Sequence, residues 1–386
     1  MDERKEGSML KRSIYNDDHE LFRDSVKEFY KRELLPKVET WEKVGMVDRE
    51  FWLACGAQGL LLPDIPEEYG GGGLDFKINA IILEETSMAG TCGPGFGPHN
   101  DIVAHYINTY GAETVKQQWL PKMATGEAIA AICMTEPNAG SDSKAIQTKA
   151  TPADGGYLLN GAKTFITNGI SCDVAVVSAR TGTEKGGKGL SLFVCDGKAR
   201  GLTKGRKLEK VGTRANDTAE LFFDDVFVPA ENLLGEEGRG FAYMMQELPQ
   251  ERISISISCQ AAAQHAYDIT VPYVKDRKAF GKTILEFQNT RFVLADIKTK
   301  LQVGWAHLDG CIQALVDKQL TIHQAAAAKL WHSELRSSVV DDCLQLFGGY
   351  GYMEEYEIAR LWRDSRVMRL YGGTSEIMKG LISRSI

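Results

Sequence analysis

Apolar residues recur every three to four positions at both ends of this chain, and in its middle that period changes to short β-rich runs. A uniform architecture cannot satisfy both periods, so the chain must fold as helical, β and helical regions in that order. In HELFRDSVKEFYKRELLP, residues 19–36, Leu21, Phe22, Val26, Phe29, Tyr30 and Leu34 keep the helical repeat, and Pro36 stands where the helix should stop. The turn PDIPEEYGGGG at 63–73 precedes a second helical run with Ile81, Ile82 and Glu84. From about residue 129 the runs IAAICMT, YLLN, KTFIT, DVAVVSA, LSLFV and AELFFDDVFVP read as strands. Asn160-Gly161 between two of them predicts a hairpin, and GTEKGGKG and DGKARG read as loops. After residue 235, Leu294, Ile297, Leu301, Trp305, Leu308, Ile312 and Leu315 form one buried stripe, and a second helix runs from Thr321 to Phe347, ended by Gly348-Gly349. Each would be ~40 Å long. The short DKQLT connection makes them antiparallel neighbours in a bundle. The expected fold is therefore multidomain: an N-terminal all-α domain (1–128), a middle antiparallel β-barrel or sandwich (129–235), and a C-terminal α-helical bundle of four helices (236–386).

Composition excludes several function classes. A net charge of −7 without a long basic run argues against nucleic-acid binding. No apolar run reaches the roughly 18 residues of a spanning helix, so membrane insertion is not expected. MDERKEGSMLKR lacks an apolar signal core, so secretion is not expected. Eight scattered cysteines without a CxxC pair suit a reducing compartment, and seven histidines show no metal-ligand spacing, so no metal is expected. GTEKGGK (182–188) has phosphate-loop spacing, but Gly189 stands where a Ser or Thr would bind magnesium and a strand follows. GPGFGP (93–98) is glycine-rich but does not sit in a strand-to-helix turn.

Two segments carry more. CMTEPNAGSDSKA, residues 133–145, leaves a strand for a loop whose backbone N–H groups and hydroxyls suit a heteroaromatic edge or a phosphate. A plain turn at a sheet rim explains it equally. QLFGGYGYMEEYEIARLWRD, residues 345–364, places Gly348, Gly349 and Gly351 between helices, where a ligand or a neighbouring subunit could approach, or where a helix merely ends.

Taken together, the order and spacing of these segments resemble the acyl-CoA dehydrogenase flavoprotein family from about Tyr15 to Arg384, closest to its long-chain branch through GPGF, ELPQER (247–252) and YGGT (371–374). The resemblance implies FAD as cofactor and α,β-dehydrogenation of an acyl-CoA thioester. It places Met134, Thr135, Gly140 and Ser141 along the FAD, with Ser141 also at the substrate, and Phe165 and Thr167 on the flavin ring. Arg277, Phe280, Gln288, Gln345, Gly348 and Gly349 match positions reaching the ADP half in a neighbouring subunit, and Thr374 and Glu376 match the last cofactor contacts. Ala279 stands where many members carry a hydroxyl. Arg252, Tyr371 and Gly373 match substrate-side positions.

Most relatives place the catalytic Glu directly after the Tyr of the YEGT loop, where this chain has Gly372. By resemblance to the long-chain and isovaleryl branches, the base is Glu251, and the Gly372 N–H donates to the thioester oxygen. Pro249 predicts that Glu251 lies just inside a helix N-terminus, where a Glu also serves simply to complement the helix dipole. That dipole and Arg252 would lower its pKa, and an apolar acyl pocket would raise it. The resemblance further implies electron-transfer flavoprotein as electron acceptor and a homo-oligomer, usually a tetramer built as a dimer of dimers. A cytoplasmic (bacterial) or mitochondrial matrix location is expected. Competing readings are an acyl-CoA oxidase or flavin monooxygenase on the same fold, and a non-catalytic flavin-bearing DNA-associated relative.

Overall fold

The computed structural model describes residues 12–182 and 186–386. The leader reading on MDERKEGSMLKR falls almost wholly outside the described residues, as does the centre of GTEKGGK. Six helices open the chain: α1 (Asp17–Glu33), α2 (Val38–Val44), α3 (Arg49–Ala57), α4 (Phe76–Met88), α5 (Ala104–Tyr110) and α6 (Glu113–Ala124). Asn16 caps α1 by accepting from the His19 N–H, and three acids fill its first turn, which favours the N-terminal end. A π-helical turn, Gly97–Val103, runs directly into α5. Such turns widen a helix and often mark functional positions.

Eight strands follow: β1 (Ala130–Cys133), β2 (Lys149–Ala153), β3 (Gly156–Thr167), β4 (Val174–Arg180), β5 (Leu190–Asp196), β6 (Leu202–Lys207), β7 (Thr218–Pro229) and β8 (Leu233–Leu234). They form one sheet in the order β6-β7-β3-β2-β4-β5-β8, with β1 also on β4. Most pairs are antiparallel, as expected, but β1 and β2 both meet β4 in parallel. Asn160-Gly161 does not make a hairpin. YLLN and KTFIT belong to the single strand β3, and the dipeptide sits at a register shift against β7. A Cβ at Gly161 would stand 2.5 Å from the Thr148 hydroxyl oxygen, so the glycine serves close strand packing at a bulge. The turn is made earlier, at Asp154-Gly155.

The last region holds α7 (Gly240–Asp276), a small ribbon of β9 (Lys278–Ala279) and β10 (Lys282–Thr283), α8 (Gln288–Val316), α9 (Ile322–Phe347), α10 (Glu357–Ser365) and α11 (Ser375–Ile382). Thr321 caps α9 in a reciprocal box with Gln324, and Gly348, at φ +60°, ends it. The alternation ISISIS lies wholly within α7, where Ile253, Ser254, Ser256 and Ile257 are all buried. Pro249 is not in the first turn. It is internal to α7, and Glu251 lies eleven residues from the helix start, beyond reach of the dipole's terminal charge. The bundle is fused to the N-terminal helices through a shared core in which Ile253 and Ile257 of α7 meet Phe76, Ala80 and Leu83 of α4. Among the described residues no helix is long and apolar enough to cross a membrane.

Candidate active site

Glu251 is buried, 8 % exposed, on the face of α7 turned toward α5 and the π-helical turn. The Tyr106 hydroxyl, fully buried, donates to its Oε1 at 3.4 Å. Burial, reinforced by the nearby Glu247 carboxylate, pushes Glu251 up to about 7, against the opposing effects of Arg252 and Tyr106. Of the two influences weighed from sequence, burial wins. Arg252 is also buried, its Nε without a hydrogen-bond partner, and among the described residues it forms no ion pair. It sits near enough to Lys329 of α9 to help depress that lysine. Arg252 thus lowers Glu251 through its charge, as expected, without forming a salt bridge to it.

Position 372 lies beside the same helix. A Cβ on Gly372 would stand 2.4 Å from Cδ1 of Ile255, one turn beyond Glu251, so the loop backbone lies directly against α7. Gly372 and Gly373 have φ of +65° and +95°, a region that favours glycine. The buried Lys329 ammonium donates to the Gly373 carbonyl at 2.7 Å and fixes this conformation. Thr374 then caps α11 through the Ile377 N–H, and Glu376 is exposed in its first turn. Tyr371 turns its hydroxyl onto Met368 Sδ.

The loop after β1 is tied to the end of β3. The Thr164 N–H donates to the Thr135 carbonyl at 2.9 Å, and the Lys163 ammonium donates to the Met134 carbonyl at 3.2 Å and to Glu136 Oε1 at 2.8 Å. Glu136 also accepts from the N–H groups of Gln147 and Thr148, so one carboxylate closes both ends of the 134–148 loop. Burial raises Glu136, but the Lys163 charge and these hydrogen bonds outweigh it and hold the carboxyl below its ordinary value. This pair was not singled out from the sequence, where a Lys in a strand looks like a solvated residue. Removing one partner leaves a buried charge alone, so Lys163→Met should cost roughly 3–5 kcal/mol, read by denaturant unfolding.

A second register shift in β3, between Lys163 and Ile166, turns Phe165 outward. Its φ is +58° and its ring is 69 % exposed, a strained, solvent-facing aromatic next to Met134 and Thr135. Gly140 and Ser141 are exposed on the same loop, and Thr167 is half-buried at the strand end. Elsewhere, Arg277, Gln345, Gly348 and Gly349 come together around a cavity of about 580 Å³, with the Arg277 guanidinium 5.2 Å from the Tyr350 ring centre. Phe280 tips the β9–β10 ribbon, 95 % exposed at φ +52°, and Gln288 is exposed at the start of α8. The predicted residues therefore gather in three groups: Glu251 with the 371–374 loop, the 134–141 loop with Phe165, and the Arg277 cavity.

The class of protein to which this helical, sheet and helical chain belongs follows from its sequence matches. Residues 16–127 match the acyl-CoA dehydrogenase N-terminal domain, 131–226 the middle domain and 238–386 the C-terminal domain. The chain belongs to the acyl-CoA dehydrogenase family. It is 48 % identical to the mitochondrial long-chain specific acyl-CoA dehydrogenase of Sus scrofa over 377 residues, 97 % of this chain and 88 % of that protein. Among solved structures, an acyl-CoA dehydrogenase from Geobacillus kaustophilus matches at 46 % identity and a TM-score of 0.95, covering 97 % of this chain and 99 % of that one. A glutaryl-CoA dehydrogenase from Mycobacterium smegmatis, solved in complex with FADH2, matches at 27 % identity and a TM-score of 0.89, covering 96 % and 95 %.

Proposed function

We propose that the protein oxidises an acyl-CoA thioester to the trans-2-enoyl-CoA, with Glu251 taking the Cα proton. The observation that carries this reading is a buried carboxylate with a pKa of about 7, set against a loop that has glycine where a base would otherwise stand. A base tuned near the working pH is substantially ionised and still strong enough to accept the proton. Tyr106 orients the carboxylate through its hydroxyl. The Gly372 N–H polarises the thioester carbonyl and stabilises the charge that builds on its oxygen as the proton leaves. Lys329 holds that N–H in place by anchoring the next carbonyl. Tyr371, Gly373, Arg252 and Ser141 frame the substrate.

The chemistry that bound FAD supplies is acceptance of the Cβ hydride. The chain fits this group: Phe165 offers an exposed ring for a flat heteroaromatic face, and open space beside Gly140, Gly348 and Gly349 admits a ligand close to the backbone. Met134, Thr135, Gly140, Ser141, Phe165 and Thr167 would hold the ring, with Thr374 and Glu376 closing it. Arg277 suits a pyrophosphate through its planar fork, together with Phe280, Gln288, Gln345, Gly348 and Gly349. Phe280, 95 % exposed at the tip of its ribbon, is available for a second subunit to cover in a dimer or a dimer of dimers. Electron-transfer flavoprotein is the acceptor that returns the enzyme to its oxidised form.

Anaerobic mixing of the holoenzyme with acyl-CoAs of graded length should bleach the flavin and release enoyl-CoA. Because the base must be ionised, kcat/KM should fall about tenfold per unit below pH 7 and level off above it. Absence of bleaching with every straight and branched thioester would overturn the reading.

A further inference from the structure

Glu251 shares its face of α7 with a second carboxylate. Glu247 lies one turn before it, and on α5 Tyr106 and Tyr110 stand one turn apart. The two pairs meet in reverse order. The Tyr106 hydroxyl is 3.4 Å from Glu251 Oε1, and the Tyr110 hydroxyl donates to Glu247 Oε1 at 2.9 Å. A ladder of two tyrosine–glutamate rungs thus joins the helices. Gln246 Oε1 is also 2.9 Å from the Tyr110 hydroxyl, but that group has one proton and a carboxylate is the stronger acceptor. The outer rung is braced from behind. The Tyr110 ring stacks on Tyr243 of α7, with centres 4.1 Å apart. The Tyr243 hydroxyl accepts from the Glu236 N–H at 3.0 Å, and the Gly235 N–H donates to the Tyr110 carbonyl at 2.8 Å. These contacts hold Tyr110 in place, and Tyr110 holds the Glu247 carboxylate.

The two rungs differ in surroundings. Glu251 is buried, whereas Glu247 is half-buried and opens on a cavity of about 420 Å³ that Gln246, Gln250 and Lys318 also line. Water in that cavity solvates the Glu247 charge, and Glu251 has no such support. Like charges one turn apart on a helix repel, and the repulsion raises the proton affinity of the less solvated partner. The other ionisable groups act on both sides of this balance. Arg252 and Tyr106 oppose the effect on Glu251, and Asp101 of the π-helical turn adds to it. Lys329 of α9 lies behind Arg252. Near Glu247, His105 of α5 sits 3.0 Å from Asp64, and Asp64, Asp75 and Lys318 line the cavity.

We propose that Glu247 is a positioning residue for the dehydrogenation: held by Tyr110 one turn from Glu251, its negative charge makes Glu251 a stronger proton acceptor. This rests on Glu251 being the base. A merely structural Glu247 would serve only as the oxygen that ties Tyr110, and so α5, to α7. The two roles separate because glutamine keeps that oxygen and loses the charge.

The test is the profile of kcat/KM for anaerobic flavin reduction by one straight-chain acyl-CoA, from about pH 5.5 to 9, which reports groups of the free holoenzyme. Glu247→Gln should level off about 0.5–1 unit lower than wild type, and at a lower plateau, because a weaker base is ionised earlier but pulls less. The two curves should therefore cross, with the variant faster in acid and slower in alkali. Damage to packing slows the reaction at every pH and gives no crossing. Glu247→Asp, which keeps the charge, should stay nearer wild type than Glu247→Gln does. His105→Gln removes the other group near Glu247 that titrates in this range, and the crossing should persist in that background. Its loss there would assign the effect to the histidine and overturn the inference. A Glu247→Gln profile that levels off with wild type would also overturn it, while leaving Glu251 as the base. If Glu251→Gln reduces flavin as fast as wild type, the base and its positioning residue fall together.

Discussion

Glu251→Gln should slow flavin reduction by acyl-CoA about 10²- to 10⁴-fold, the range a positioned general base supplies, while the fold and the bound flavin persist. The same substitution should stabilise the protein at alkaline pH. In the folded chain Glu251 titrates about 7, against an ordinary value of 4.5, so between those values the folded state keeps a proton that the unfolded state has lost. Stability therefore falls as pH rises from 4.5 to 7, and the full cost, roughly 3 kcal/mol at most, is present above pH 7. Glutamine has no such cost. Wild type and variant should unfold at similar temperatures near pH 4 and diverge by pH 8, with the variant higher. Near-normal stopped-flow reduction by the variant would remove Glu251 from the chemistry, and an unchanged unfolding difference across pH would remove the buried-charge account.

The fold and the candidate site were legible in the sequence to different degrees. The two changes of period located the helical and β regions, because burial against one face imposes spacing on the chain. ELPQER and YGGT pointed to Glu251 and Gly372 through resemblance. Local signals failed where tertiary contacts override them. Asn160-Gly161 has hairpin chemistry, yet Thr148 packs against Gly161 and keeps the strand running. Pro249 has helix-start chemistry, yet α7 begins nine residues earlier. Tyr106 and Lys329 shape the site from as far as 145 residues away along the chain, and no spacing rule links them to Glu251. Resemblance pointed to Phe165, but its outward turn needs a bulge that only strand pairing reveals.

A carboxylate returned to position 372 should restore part of what Glu251→Gln removes, and the surrounding side chains set how much. In the Glu251→Gln background, Gly372→Glu places a Cβ 2.4 Å from Ile255 Cδ1, the flexible end of a side chain that must move aside. The backbone there is left-handed, at a cost of about 1–2 kcal/mol for a residue with a Cβ. Adding Ile255→Ala clears the first obstacle but not the second. The triple variant should therefore reduce flavin about 10- to 100-fold faster than Glu251→Gln alone, within the range of a general base but short of wild type. Its pH profile should also shift. Lys329 Cε lies 3.9 Å from the new Cβ position, so the ammonium would hold the new carboxyl below the value Glu251 has, and the rate should level off at lower pH. Gly372→Gln with the same partners should give no recovery, which separates a returned base from a loosened pocket. A triple variant as slow as Glu251→Gln would mean that the loop does not face the proton that Glu251 takes.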